Sequence, residues 1–280
     1  MNRDRLLPIV PVLAYHSISD ERRDGTRRWS VSPGDFDEQM ALLADRGCTA
    51  LTVSGYAAVL RGEVPVPARP VLVTFDDGFA DLATTALPTL RRYGIIATAY
   101  VITSGLGTAR SDGAGPALDW DQLAELRANG VEVGSHSHTH RPLDCLSAVE
   151  AFRDVNLSKL VLEDGLREPV SSFAYPYGYH SKSVRQHVRA AGYASACAVK
   201  NALSHREDDV FAIARVLVER DMGTRAIDAL LDHQGWPLAW RGERLRTRGW
   251  RAWRQARHLL SSAPARGHRQ FAATLRGTDS

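Results

Sequence analysis

Short apolar runs alternate with helical stretches along most of this 280-residue chain, and that alternation restricts it to a parallel sheet wrapped by helices. Residues 70–75, Pro-Val-Leu-Val-Thr-Phe, read as a buried strand, and 79–93 carry a helical pattern interrupted by Pro88. A strand over 97–102 precedes a glycine-rich loop at 104–116. The next helix starts at Asp119 or Asp121 and stops at Asn129-Gly130. Val131 to Gly134 follow as a short apolar lead-in, then a long helix at 147–166, a strand at 171–175 and a helix at 182–191. Residues 193–199 and 213–218 are further strands, and no internal repeat is present. Periodicity does not separate an open doubly wound sheet from a closed barrel, and this length suits one large domain or two small ones.

Two places in this pattern carry chemistry. The strand at 71–75 ends in Asp76-Asp77-Gly78, and Val131-Glu132-Val133-Gly134 runs into His136-Ser137-His138-Thr139-His140. Neighbouring strand residues point to opposite faces, yet at a strand end, with Gly78 permitting a sharp turn, both carboxylates can line one cleft. On a helical turn His136 and His140 would lie one above the other, leaving His138 as a bystander. One carboxylate and two imidazoles form a ligand set for a divalent cation, and the second carboxylate remains as a base. Taken singly, Asp-Asp-Gly is an ordinary turn and H-x-x-x-H an ordinary coincidence; the pairing of the two at strand ends points to a site.

The order of these segments resembles the polysaccharide deacetylases, the NodB-homology group also called carbohydrate esterase family 4. Thr74-Phe75-Asp76-Asp77-Gly78 matches that family's first motif, His136-Ser137-x-x-His140 its second, and Phe173-Ala174-Tyr175-Pro176-Tyr177-Gly178 resembles its third. Ala14-Tyr15-His16-Ser17 and Leu118-Asp119-Trp120 look like the branch containing exopolysaccharide poly-N-acetylglucosamine N-deacetylases. The resemblance covers roughly residues 11–231 and implies an α/β fold, a distorted (β/α) barrel of seven or eight strands. It further implies Asp77, His136 and His140 as ligands of one divalent metal, Zn by donor type with Co, Ni or Fe also fitting, and Asp76 as general base. The backbone N–H of Tyr177, on a loop restrained by Pro176, is implied as oxyanion donor.

The third motif lacks the arginine that many members carry, Ala174 and Tyr175 standing in that neighbourhood. For the general acid, His16 at the end of the first strand is preferred over His233 in Leu231-Asp232-His233. Trp120 and Tyr177 are the aromatics set against a pyranose ring, and Arg215 is a support for the acidic groups or else one half of a surface ion pair. The expected activity is metal-dependent removal of an N-acetyl group from an amino sugar. The alternatives are a sugar-binding module without catalysis, or hydrolysis of another non-peptide amide or an O-acetyl ester.

Charge divides the chain. The net +3 splits into +8 for residues 241–280, with ten arginines against Glu243 and Asp279, and −5 for the remainder. On this basis a catalytic domain is expected over 1–235, followed by a basic Trp- and Arg-rich tail over 236–280. Such a tail suits an anionic membrane surface; no recognition motif suggests nucleic acid. The apolar run 6–14 is short, broken by two prolines and continuous with Tyr15-His16-Ser17. It reads as a first strand rather than a signal, and the expected location is cytoplasmic, membrane-peripheral through the tail. Cys48, Cys145 and Cys197 form no CxxC pattern, so neither a disulfide framework nor a thiolate zinc site is expected.

Overall fold

Seven parallel strands follow one another in chain order around a closed ring: β1 (Val12–Tyr15), β2 (Pro70–Phe75), β3 (Thr98–Val101), β4 (Glu132–Ser135), β5 (Ser172–Ala174), β6 (Ser195–Val199) and β7 (Ile213–Leu217). The computed structural model describes residues 8–20, 27–108, 115–240 and 249–255. β1 pairs with β2 with Tyr15 opposite Phe75, and β7 closes the ring with Val216 opposite Leu13. A two-residue strand, Thr49–Ala50, adds to the start of β2 outside the ring. The fold is therefore a distorted (β/α) barrel of the expected type, with seven strands in the ring.

Alternation along each strand sorts side chains into two cores. Leu13, Tyr15, Val71, Val73 and Phe75 face outward into the large cluster shared with the helices. Val12, Leu72, Tyr100, Ala174, Cys197 and Ile213 face inward into a smaller one. Full burial of a side chain such as Leu13 or Phe75 contributes about 2–3 kcal/mol. This parity matters for the site: carried on by two residues, the inward set of β1 and β2 reaches His16 and Asp76.

Seven helices surround the described barrel: α1 (Pro33–Asp45), α2 (Val53–Arg61), α3 (Leu87–Arg92), α4 (Trp120–Ala128), α5 (Ala148–Leu166), α6 (Lys182–Ala190) and α7 (Thr224–Leu231). Most starts follow from local sequence. Ser32 caps α1 with Pro33 in its first turn, and full capping boxes are made by Asp119 with Gln122 on α4 and by Ser147 with Glu150 on α5. Each such cap is worth about 1 kcal/mol. The interruption expected at Pro88 is a π-helical turn over Leu82–Ala86. Proline has no N–H to continue the i→i−4 ladder, and the Leu87 N–H bonds Leu82 instead.

Trp236, Leu238 and Trp240 pack on the barrel's cores, Ala239 is buried, and Leu203 bridges to Leu238. The barrel unit thus continues past residue 235, where composition alone had put its end. Residues 249–255 are a helical segment belonging to a separate unit. All three cysteines are free thiols. Among the described residues, no helix is long and apolar enough to cross a membrane.

Candidate metal centre and catalytic cleft

The C-terminal mouth of the barrel holds a cavity of about 400 Å³ lined by His16, Ser17, Trp29, Asp76, Asp77, Phe79, His136, His140, Tyr177, Gly178, Tyr179, Val199 and Leu217. Strand parity brings Asp76 inward, buried at 3% exposure. Asp77 should then point outward, and a backbone reversal prevents this: Asp77 has φ 71° and Gly78 φ 69°. Two successive left-handed residues turn the chain so that the second carboxylate rejoins the first. A Cβ on Gly78 would also crowd the Val101 side chain at 3.1 Å, so glycine is favoured there by space as well as by φ.

The histidine pair is placed by a loop, not by the helical turn expected from its spacing. His136 follows β4 directly, while Ser137 (φ 68°) and His140 (φ 58°) fold the chain back on itself. The imidazole rings end 4.9 Å apart. Side chains sustain this irregular loop. Ser137 Oγ accepts the His140 N–H at 3.0 Å, and the Asp154 carboxylate on α5 accepts the N–H groups of His138 and Thr139 at 2.7 and 3.2 Å. His138 points away from the mouth, its Nδ1 on Thr103 Oγ1 at 2.8 Å, as its bystander reading requires.

Asp77 Oδ1 lies 3.5 Å from His136 Nε2 and 3.2 Å from His140 Nε2, and one ligand atom from each of the three falls within 4.8 Å of the others. His136 Nδ1 sits 2.9 Å from the Ala174 carbonyl oxygen. A carbonyl only accepts, so Nδ1 carries the proton and the Nε2 lone pair faces the cluster. One carboxylate oxygen and two imidazole nitrogens at these separations fit a divalent ion.

Asp76 stands apart from that trio, 3.9 Å from His136 Nε2, and its partner is Arg215. Arg215, fully buried on the inward face of β7, donates from Nη1 to Asp76 Oδ1 at 2.6 Å and from Nη2 to Oδ2 at 2.7 Å. A third bond, 3.1 Å, goes to Thr74 Oγ1, and the guanidinium lies over the Tyr100 ring. The reading of Arg215 as a surface ion pair is thereby excluded. Burial alone would raise the Asp76 pKa; the Arg215 charge outweighs it and holds the carboxyl far below the usual range.

His16 continues β1 into the cleft and stacks on Trp29, with ring centroids 5.9 Å apart. Burial lowers its pKa, against opposing pulls from Asp77 and Asp76. Pro176 is buried at the start of a short turn, and Tyr177 after it takes φ 59°. The Tyr177 ring is 54% exposed and lies 4.7 Å from that of His140.

Position corrects the reading of Trp120 and removes His233, the less favoured general-acid candidate. Trp120 does not line the cleft: it opens α4 and its ring covers Gly165 of α5, where a Cβ would meet it at 2.2 Å. His233 lines a different cavity, of about 690 Å³, at the N-terminal ends of β1 and β2 with Pro11, Cys48 and Pro70. It follows α7, at the end of the barrel remote from the mouth, and is no candidate for the general acid. Trp29 and Asp154 were not anticipated. Neither stands in a motif, and only the closed barrel brings them to the site.

The fold and site together define a (β/α)-barrel hydrolase with a carboxylate–dihistidine cluster at its C-terminal mouth. The sequence profile described as polysaccharide deacetylase matches residues 63–196, so the chain carries a domain of that kind. YxkH of Bacillus subtilis (strain 168) is 26% identical over 223 residues, covering 80% of this chain and 76% of that protein. The poly-beta-1,6-N-acetyl-D-glucosamine N-deacetylase of Staphylococcus aureus (strain MRSA252) is 24% identical over 204 residues, 70% of each. The fold is shared with the Streptococcus pyogenes deacetylase PplD at a TM-score of 0.72 and 23% identity, covering 80% of this chain and 98% of that one.

Proposed function

We propose that this chain is a divalent-metal-dependent N-deacetylase acting on an N-acetylated amino sugar within a glycan or glycan intermediate. The observation that carries this reading is the convergence of Asp77, His136 and His140 beside a separately held carboxylate, Asp76, in one cleft. A cation bound by the three would polarise the acyl carbonyl and acidify a water molecule. Asp76 is assigned the proton from that water. Its bidentate bond to Arg215 keeps it ionised throughout the neutral range and fixes its orientation, while each oxygen retains a further lone pair.

His16 is assigned proton delivery to the leaving amine. Burial disfavours its charged form, so the proton it delivers is one it takes up during the reaction, the water proton first accepted by Asp76. The Tyr177 N–H is assigned to the developing oxyanion, with Pro176 restraining the turn. The exposed ring of Tyr177, stacked with that of Tyr179 at 6.1 Å, offers a wall for a pyranose face. The similarity to a poly-N-acetylglucosamine deacetylase supports a β-linked N-acetylglucosamine chain as the first substrate to try.

The test is acetate release from N-acetylglucosamine oligomers by zinc- or cobalt-loaded protein, with Asp76→Asn alongside. Release by the wild type, reduced by two or more orders of magnitude in the variant, is expected, since general-base loss typically costs about 10²–10⁴-fold. Metal-loaded wild-type protein that releases no acetate from any such oligomer would refute the reading.

A further inference from the structure

We propose that the C-terminal segment is a peripheral docking element for an anionic phospholipid surface, seating Trp250 and Trp253 at the lipid–water boundary with arginines on lipid phosphates. In the helical segment 249–255 the two indoles stack with centroids 4.6 Å apart and planes 19° from parallel, and each is 46% exposed. Three residues apart on a helix, they share one face. An exposed pair of tryptophans is a costly thing to keep in water, and the indole ring is best accommodated at headgroup depth, where its apolar body is dry and its N–H is wet.

Charge selects the lipid. The segment from 241 onward carries +8 while the remainder of the chain carries −5, so an anionic surface attracts the tail and repels the body. Arg251 and Arg254 each follow one of the two tryptophans and bring positive charge beside them in the sequence. The aromatic pair argues for a bilayer over a simple polyanion, because it supplies apolar area that a phosphate backbone alone would not use. No described helix is long and apolar enough to span a bilayer, so attachment of this kind would be interfacial. None of these residues is assigned a part in the deacetylation, and the inference stands independently of that reading.

The experiment is co-sedimentation of the full chain with vesicles of phosphatidylglycerol and phosphatidylcholine, against vesicles of phosphatidylcholine alone, followed in parallel by tryptophan emission. Binding confined to the anionic vesicles, a blue-shifted emission and weakening with added salt are expected. Arg251→Gln with Arg254→Gln should lower affinity about 25-fold, fivefold per charge. Trp250→Ser with Trp253→Ser should abolish the blue shift from the tail and lower affinity by tenfold or more. Both double variants should keep the wild-type thermal transition and wild-type turnover of a soluble oligosaccharide, which separates lost docking from lost folding. Absence of binding to the anionic vesicles, equal binding to neutral ones, wild-type affinity in both variants, or tighter binding to single-stranded nucleic acid than to the anionic vesicles would each overturn the proposal.

Discussion

Replacing Arg215 by methionine tests whether the buried Asp76–Arg215 pair is held as a unit. The guanidinium is fully buried and the carboxylate 3% exposed, and two bonds of 2.6 and 2.7 Å join them. Arg215→Met removes the positive charge and leaves Asp76 as a lone buried acid, a change that typically costs about 3–5 kcal/mol. Asp76→Asn leaves the guanidinium charged with one good acceptor lost, at a similar cost. Combining them removes both charges, so the double variant should recover about 3 kcal/mol or more relative to the sum of the singles. The assay is urea unfolding of metal-free protein at pH 7, metal being excluded because binding to the native state would add its own stabilisation.

The same pair sets a sign that the assay can read against pH. In the wild type the native Asp76 pKa is lowered below the unfolded value of about 3.9, so the unfolded state binds the proton first. Its stabilisation is complete above roughly pH 5 and is lost as pH falls through the carboxylate range. In Arg215→Met the charge and hydrogen bonds that chiefly oppose burial are gone and only the pulls of His136 and His16 remain, so the native pKa rises and this residue's contribution to the slope shrinks. Additive losses within about 0.5 kcal/mol, or parallel pH curves for wild type and Arg215→Met, would refute the reasoning.

Two further outcomes follow from the site. Alanine at Asp77, His136 or His140 should each weaken zinc binding by more than the roughly 10–100-fold that loss of a supporting partner costs, measured by competition with a chromogenic chelator; the same change at His138 should leave affinity within a few-fold. His180 stacks on Tyr175, and burial pushes its pKa down from 6.5 to about 4. Because the unfolded imidazole protonates first, wild-type stability should fall by about 3 kcal/mol from this residue between pH 6.5 and pH 4, a slope that His180→Phe removes in the same unfolding assay.

The sequence made the scaffold legible wherever one local signal decided the outcome. Asp119 and Ser147 start helices because they cap them, and residues 70–75 form β2 because nothing in the run suits any place but a core. The metal trio was legible as a set of residue types, though the backbone that assembles it was not. Spacing alone favoured a helical turn for His136 and His140, whereas the convergence depends on positive φ at Ser137 and His140 and on Asp154 anchoring the loop. Arg215 was seen without its partner, since no pattern reveals that β7 closes onto β1 and so delivers a guanidinium to the end of β2. Trp120 was misplaced for the matching reason: nearness to a motif in sequence does not say which end or which face of a barrel a residue joins.

The left-handed backbone at Asp77, Ser137, His140 and Tyr177 bears on how such a protein can be improved. A non-glycine residue in that conformation carries on the order of 1–3 kcal/mol of strain, and glycine would relieve much of it. At Asp77 and His140 glycine would also delete a donor atom of the proposed metal cluster, and at Tyr177 the ring proposed as a substrate wall. The mouth of the barrel is therefore a region where a search for thermostable variants and a search for active ones pull toward opposite residues, and stabilising substitutions should accumulate in the helices and lower loops instead.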